Sequence, residues 1–221
     1  LLVFDLKRPD RFHYILFKGN RTSWLVWGAW ILMAYGLAAV VWLLGARAGA
    51  EDLLRVLALP VMILAAAAAG YSAFLFGQAE GRDFWQSPLL LPQLLVVALA
   101  AGASSLLVVG VFAGAPALTL QRLGVILTVS LVAEATLLFA ELGPTHTNVD
   151  VARAARLITR GHFRLAFWGG AITAGIVVPL VLLRLDAAAS ALGVVAALST
   201  LAGLLIYEDV WIKAGQSIPL S

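Results

Sequence analysis

Long apolar stretches separated by short polar segments dominate this sequence. Six of them have the length of about 20 residues that an α-helix needs to cross a hydrocarbon core at 1.5 Å per residue. They cover residues 24–44, 54–76, 89–112, 120–140, 163–183 and 187–207. None shows the alternation of apolar and polar residues that is typical of transmembrane β-strands. The pattern predicts an all-α fold, a polytopic transmembrane helix bundle with six visible spans.

Composition agrees with this pattern. The chain is 62% hydrophobic and 12% charged, whereas soluble domains are about 45–50% apolar and about 25% charged. It contains no cysteine, so disulfides are excluded and the usual ligands of an iron–sulfur cluster are missing. A net charge of +3 does not indicate nucleic acid, because the basic residues lie in loops beside the spans.

The whole chain, residues 1–221, is predicted to be one integral membrane domain. Residues 1–23 open on apolar residues without an initiator Met and are interpreted as the end of a preceding span plus a loop. Residues 208–221 are expected to be a C-terminal tail. The natural protein is therefore expected to be longer than this chain.

The 15 Lys and Arg residues are unevenly distributed between the two membrane faces. Side A is defined here as the face with residues 1–23, the loops 77–88 and 142–162, and the C-terminal tail. The opposite face carries only Arg47, Arg55, Arg122 and Arg184. The positive-inside rule therefore predicts that side A is cytoplasmic.

Two glutamates mark the end of the fourth predicted span, Glu134 inside it and Glu141 directly after it. Glu134 and Glu141 are seven residues apart, which places them on one helical face, and Ser130 is one turn further in. Carboxylates are costly in hydrocarbon, so they pair, stay protonated or line a water path. One interpretation is a buried hydrogen bond or an ion pair with Arg160 or Arg164. The other is a proton path formed by Glu134, Glu141 and Arg164.

A tyrosine and a polar loop follow one another at the side A end of the second span. Tyr71 lies about one and a half turns inside that end, and Gln78 is seven residues further along the same face. The next loop contains Glu80, Arg82 and Asp83. A phenol at this depth is suited to hydrogen-bonding a quinone carbonyl and exchanging its protons. On position alone, an aromatic-belt tyrosine is the alternative.

The three histidines, His13, His146 and His162, all lie outside the apolar spans. A haem inside a helix bundle needs axial ligands at depth, and no span supplies one. None of the histidines has a second ligand at close helical spacing. We therefore expect neither a haem nor a metal site in this chain.

Four segments together resemble the NrfD family, the membrane subunit of polysulfide-reductase-type complexes. They are residues 5–12 (DLKRPDRF), 23–30 (SWLVWGAW), 79–85 (AEGRDFW) and 214–221 (AGQSIPLS). They occur in the expected order, and the likeness extends over the whole chain.

The resemblance implies a quinone-binding membrane anchor of the prokaryotic cytoplasmic (inner) membrane. In that family, eight or more helices form two four-helix bundles, so the six spans would be part of an eight-helix arrangement. The family passes electrons between menaquinone or ubiquinone and an iron–sulfur subunit. That subunit serves a molybdopterin or multihaem catalytic subunit of a respiratory oxidoreductase complex.

The resemblance also implies roles for individual residues. The family's quinone-site tyrosine matches Tyr71, and its acidic pocket residue matches Asp5. Tyr71 is then expected to hydrogen-bond the quinone, and Asp5 or Glu80 to exchange its protons. The remaining residues expected at the quinone site or its loop are Gln78, Arg82 and Asp83, the last two also contacting the partner.

Two other functions fit the same spans. An ion-coupled secondary transporter would use Glu134 and Glu141 as coupling sites, although such proteins commonly contain inverted repeats and broken helices. A purely structural membrane anchor would bind no quinone of its own.

Overall fold

The computed structural model describes residues 20, 22–143, 146, 148–185, 188 and 190–219. These residues contain helices and turns and no strand. Six helices are long and apolar enough to cross a membrane, which confirms the predicted all-α bundle with six spans. The chain divides into two compact units, up to Gln78 and from Ala79 onwards. Asp5 and the segment 5–12 lie outside the described residues.

The first unit contains a helical hairpin. Helix α1 spans Trp24–Arg47 and helix α2 spans Glu51–Gly77. The tight turn between them has Gly49 at φ 67°, a conformation that glycine adopts without steric cost. Both helices expose most of their apolar side chains, as expected for surfaces whose solvent is lipid.

The second unit contains four spans and two shorter elements. After a 3-10 turn at Asp83–Gln86 come α3 (Leu90–Phe112), α4 (Ala117–Leu142), α5 (Val149–Thr159), α6 (Ala166–Arg184) and α7 (Ala191–Gln216). Helix α7 packs on α3 and α6, and α3 also packs on α4. Small buried residues such as Ala100, Ala103, Ala196 and Ala197 let the helices approach closely.

The last helix is longer than the sequence pattern predicts. The apolar stretch ends at Tyr207, but the helix continues to Gln216, so most of the predicted tail is helical. The reason is that Val210, Trp211 and Ala214 continue the buried face at helical spacing. The charges that mark the end of the span lie on the exposed face of this helix.

The predicted loop 142–162 contains a helix, α5. The Asn148 side chain caps it by accepting hydrogen bonds from the backbone N–H groups of Asp150 and Val151. Ala154, Ala155 and Ile158 form its buried face. The sequence predicts a loop because the apolar residues are too few to span a membrane, but they suffice to hold a helix against the bundle.

Helix α6 is not uniformly α-helical. Residues Ala166–Val177 form a π-helix, and Val178–Arg184 continue as an α-helix. The Thr173 hydroxyl donates to the carbonyl oxygen of Trp168, five residues earlier, at 2.7 Å. Pro179, where the sequence predicts a bend, lies in the first turn of the α-helical part.

Two glycines bring α6 and α7 into backbone contact. A Cβ atom on Gly175 would lie 2.6 Å from the Cα atom of Gly203, and a Cβ atom on Gly203 would overlap Gly175. The hydroxyl of Ser199 donates to the carbonyl oxygen of Ala174 at 2.6 Å and reinforces the contact. The close approach of these two helices therefore depends on the absence of side chains at both positions.

Replacing one of these glycines should separate the helices. Gly203→Ala is expected to destabilise the chain by about 1–3 kcal/mol, since the new methyl group meets backbone that cannot rotate away. Thermal unfolding in detergent, followed by tryptophan fluorescence, measures the effect. Gly169→Ala is the matched control, because a Cβ atom there meets nothing within 4 Å. Equal melting temperatures for the two variants would contradict the prediction.

Candidate functional site

Tyr71 packs directly against the backbone of the neighbouring helix in the first unit. A Cβ atom on Gly28 would overlap carbons Cδ2 and Cε2 of the Tyr71 ring. The side chain is half-buried, and its hydroxyl makes no hydrogen bond with any residue that the structure describes. Gly28 belongs to the segment WGAW, so this motif provides the flat surface on which the phenol ring lies.

Gln78 connects the end of α2 to the beginning of α1. Its Oε1 accepts from the Trp24 backbone N–H at 3.1 Å, and its Nε2 donates to the Thr22 carbonyl oxygen at 3.3 Å. One turn below, the rings of Trp24 and Phe74 stack with centroids 4.3 Å apart. Gln78 therefore holds together the two ends of the hairpin that lie opposite its turn. The oxygen and the nitrogen of its side-chain amide each form one of these hydrogen bonds.

Arg82 holds the end of the last helix in the second unit. Its Nη1 donates to the carbonyl oxygens of Gly215 at 2.7 Å and Ile218 at 2.8 Å, and its guanidinium lies 5.5 Å from the ring centre of Trp85. Carbonyl groups at a helix C-terminus lack intrahelical donors and carry partial negative charge. The motifs GRDFW and AGQSIP, far apart in sequence, thus form one structural unit.

The other loop residues have separate environments. Asp83 accepts a hydrogen bond from Nδ2 of Asn148. Phe84 and Trp85 pack on Trp211, with ring centres 5.6 and 6.2 Å apart respectively. Glu80 is exposed. The loop is thereby anchored at both α5 and α7.

A buried line of polar groups crosses three helices of the second unit. Nε2 of Gln93 on α3 donates to the Tyr207 hydroxyl on α7 at 3.0 Å. That hydroxyl donates to Oε2 of Glu141 on α4 at 3.4 Å. All three side chains are buried. We call these residues, together with Glu134, the polar line.

Glu134 is the most deeply buried acid among the described residues, with 1% of its surface exposed. Neither carboxyl oxygen has a hydrogen-bond partner of good geometry in that part of the chain, and Gln93 is its polar neighbour. Arg164 is exposed, and the described ranges show no ion pair from Arg160 or Arg164 to either glutamate. Glu134 and Glu141 are therefore buried in the same part of the bundle, whereas Arg164 lies outside it.

A cavity of about 570 Å³ leads from the surface of the second unit to the polar line. Asp83, Ser87, Glu141, His146 and Asn148 are among its lining residues. Oε1 of Glu141 and Nε2 of His146 are buried and have no hydrogen-bond partner of good geometry within the described ranges, and Ser87 is a polar neighbour of the Glu141 carboxyl group. The cavity has polar and apolar walls and is large enough for several water molecules, and Glu141 lies between this cavity and the bundle interior.

Sequence reasoning missed Gln93 and Tyr207. Both lie within apolar stretches, and a polar side chain inside a span is itself a signal of a buried hydrogen bond or functional site. The hydropathy pattern instead places Tyr207 at the end of a span. The pairing of the two could not be found, because they are more than 100 residues apart.

The fold and these sites define the class of protein: a polytopic helical membrane protein with ionisable groups buried inside its bundle. A model of the family "Polysulphide reductase, NrfD" matches residues 1–219. The chain belongs to this family, as its resemblance indicated.

One relative, from Halobacterium salinarum, is described as a membrane subunit of a dimethyl sulfoxide reductase and is 33% identical over 135 residues. The match covers 51% of this chain and 31% of the relative, so the chain aligns with about a third of that protein's length. No solved structure matches the chain at a significant level.

Removing Arg82 should release the end of α7. In Arg82→Ala, two charge-assisted hydrogen bonds are lost, each contributing about 1.5–3 kcal/mol. We expect a lower melting temperature and faster amide hydrogen exchange in residues 213–219. Arg55→Ala is the control, because Arg55 forms only exposed ion pairs with Glu51 and Asp52 among the described residues. Exchange at the control rate would mean that Arg82 does not hold this end.

Proposed function

We propose that this chain is the quinone-binding membrane subunit of a respiratory reductase complex. It passes electrons between the quinone pool and an iron–sulfur subunit, which serves a molybdopterin or multihaem catalytic subunit. Its membrane is the prokaryotic cytoplasmic membrane. Membership of the NrfD family and the description of the relative support this proposal. The observation that carries it is the Tyr71 phenol, half-buried on Gly28 with its hydroxyl unengaged by the described residues.

The chemistry of the Tyr71 side chain supports the proposal of a quinone headgroup as its ligand. A quinone is a flat apolar ring with two acceptor oxygens, and it needs an O–H or N–H donor beside an apolar wall. Tyr71 supplies the donor, and its contact with Gly28 fixes the direction of the hydroxyl. When bound, the quinone supplies the exchange of two electrons and two protons. The protein supplies binding, orientation and proton transfer.

The remaining predicted site residues have different roles in this proposal. Asp5 is proposed to exchange protons at the Tyr71 site, as the family's pattern suggests, and Glu80 is an exposed acid that can serve the same purpose. Gln78 maintains the hairpin that carries Tyr71. Arg82 and Asp83 shape the loop of the second unit that faces a partner subunit.

We further propose that the polar line is a proton path. Water in the cavity delivers a proton to Oε1 of Glu141. The Tyr207 hydroxyl is hydrogen-bonded to Glu141 and to the Gln93 amide, and the Gln93 amide lies beside Glu134. These contacts form a row of polar groups from Glu141 to Glu134. A carboxyl group buried without a cation is costly to keep charged, which makes Glu134 a proton carrier rather than a fixed charge. The same glutamates would couple ions in a secondary transporter, which would move ions without electron transfer.

Removing only the Tyr71 hydroxyl tests the quinone site. In Tyr71→Phe, we expect quinone-linked turnover of the intact complex to fall about tenfold or more, since one directed hydrogen bond to the headgroup is lost. Activity with an artificial electron donor to the partner subunit, and assembly of the complex, should remain. Turnover is measured with a short-chain quinol.

Tyr35→Phe is the matched control, because Tyr35 lies half-buried on α1, in the same unit. It should leave quinone-linked turnover unchanged. If Tyr71→Phe also keeps full turnover, Tyr71 does not bind quinone, and a structural anchor describes the chain better.

Neutralising the buried acid tests the proton path. In proteoliposomes containing the complex, Glu134→Gln should lower the protons moved per electron, because the amide cannot release a proton. A pH-sensitive dye and an oxygen or substrate assay give this ratio. Glu51→Gln is the control, since Glu51 is an exposed acid at the start of α2, in the first unit. An unchanged ratio in Glu134→Gln would eliminate the path, and ion movement without electron transfer would favour a transporter.

A further inference from the structure

Helix α5, which lies between two spans, borders a groove on the surface of the second unit. The groove has a volume of about 360 Å³ and runs between α4 and α6. Its walls include Ala135, Leu138, Phe139, Phe167 and Ile172, and at one end it reaches Thr159 and Arg160. The groove is thus apolar along the spans and basic where the spans end.

Two arginines, one at the basic end of the groove and one beside it, have no acidic partner among the described residues. Arg156 and Arg160 are one helical turn apart, and both are exposed. Neither side chain makes a hydrogen bond or an ion pair within the described part of the chain. Arg153, by contrast, is paired with Asp150 at 3.0 Å. The guanidinium groups of Arg156 and Arg160 can therefore bind an anion.

Arg160 lines the apolar groove, and both arginines border two further depressions of about 570 and 300 Å³. The smaller one shares Leu142, Gly143, Thr159 and Arg160 with the apolar groove. Apolar and basic surfaces are thus continuous around Arg160. A ligand that occupies both must be apolar at one end and anionic at the other.

The position of the groove indicates its surroundings. Phe139 and Trp168 border it, belong to spans and are 78% and 51% exposed, so both face lipid. Nε1 of Trp168 donates to the Thr159 carbonyl oxygen at 2.9 Å and ties the end of α5 to α6. Tryptophan and arginine at the end of a span lie at the level of the headgroups.

We propose that this surface is a binding site for one anionic phospholipid. Its phosphate lies between Arg156 and Arg160, and one acyl chain lies in the groove along Phe139 and Ile172. Guanidinium groups match phosphate oxygens in geometry and charge. An acidic segment of a partner protein would satisfy the arginines but would leave the apolar part of the groove, which lies along the spans, exposed to lipid.

Native mass spectrometry of the full-length protein in mild detergent tests the proposal. Wild type is titrated with short-chain phosphatidylglycerol, with phosphatidylcholine of the same chain length, and with inorganic phosphate. We expect selective binding of phosphatidylglycerol. The double variant Arg156→Gln/Arg160→Gln should bind it about 30-fold more weakly, as expected for two basic residues beside an anionic headgroup. Ala135→Phe, which fills the groove, should weaken it while both arginines are kept.

Arg122→Gln/Arg184→Gln is the matched control, because both residues are exposed arginines elsewhere on the second unit. It should bind phosphatidylglycerol like wild type, and melting temperatures verify that every variant is folded. Inorganic phosphate binding as tightly as the lipid would replace the proposal with a free-anion site. Unchanged lipid binding in the double variant, with loss of partner subunits from the complex, would show a protein-docking surface instead.

Discussion

Hydrocarbon offers no hydrogen bonds, so a polar side chain inside the bundle is costly unless the protein itself supplies its partner. In the second unit this requirement is met at Tyr207, whose hydroxyl accepts from Gln93 on α3 and donates to Glu141 on α4. Three helices are thus held in one register around a single oxygen atom. The same bonds leave one oxygen of Glu141 facing a polar cavity, and Glu134 deeper inside without a well-formed bond to any described residue. The requirement that fixes the helices also creates the polar line.

A second constraint closes the unit at its surface. The carbonyl groups at the end of α7 have no partners within the helix, and Arg82 supplies donors to them from a loop that precedes α3. Trp211 packs on Phe84 and Trp85 beside this contact. The first and last segments of the second unit are therefore joined, and the cavity mouth at Asp83 and Asn148 is held by the same loop. The loop that contains Arg82 and Asp83 therefore both holds the end of α7 and shapes the mouth of the cavity that leads to the polar line.

Hydropathy predicted all six spans, because length and apolar content alone decide whether a helix crosses a bilayer. It did not predict the extension of α7 beyond Tyr207 or the helix α5, since both depend on burial against other helices. The depth of Tyr71 and the resemblance to the NrfD family singled out that residue. Its contact with Gly28 could not be predicted, because it depends on how two helices pack. Glu134 and Glu141 were found from their spacing. Their neighbours Gln93 and Tyr207 were not, because contacts between distant helices leave no local pattern.

The contact between Gly28 and Tyr71 links two positions that must evolve together. A ring lying on a bare backbone leaves no room for a side chain at position 28, so a larger residue there is compatible only with a smaller one at position 71. Relatives that keep tyrosine at position 71 should also keep glycine at position 28. In relatives that have a smaller residue at position 71, position 28 is free to change. A pair of substitutions at these sites would then mark the branch on which the phenol was abandoned.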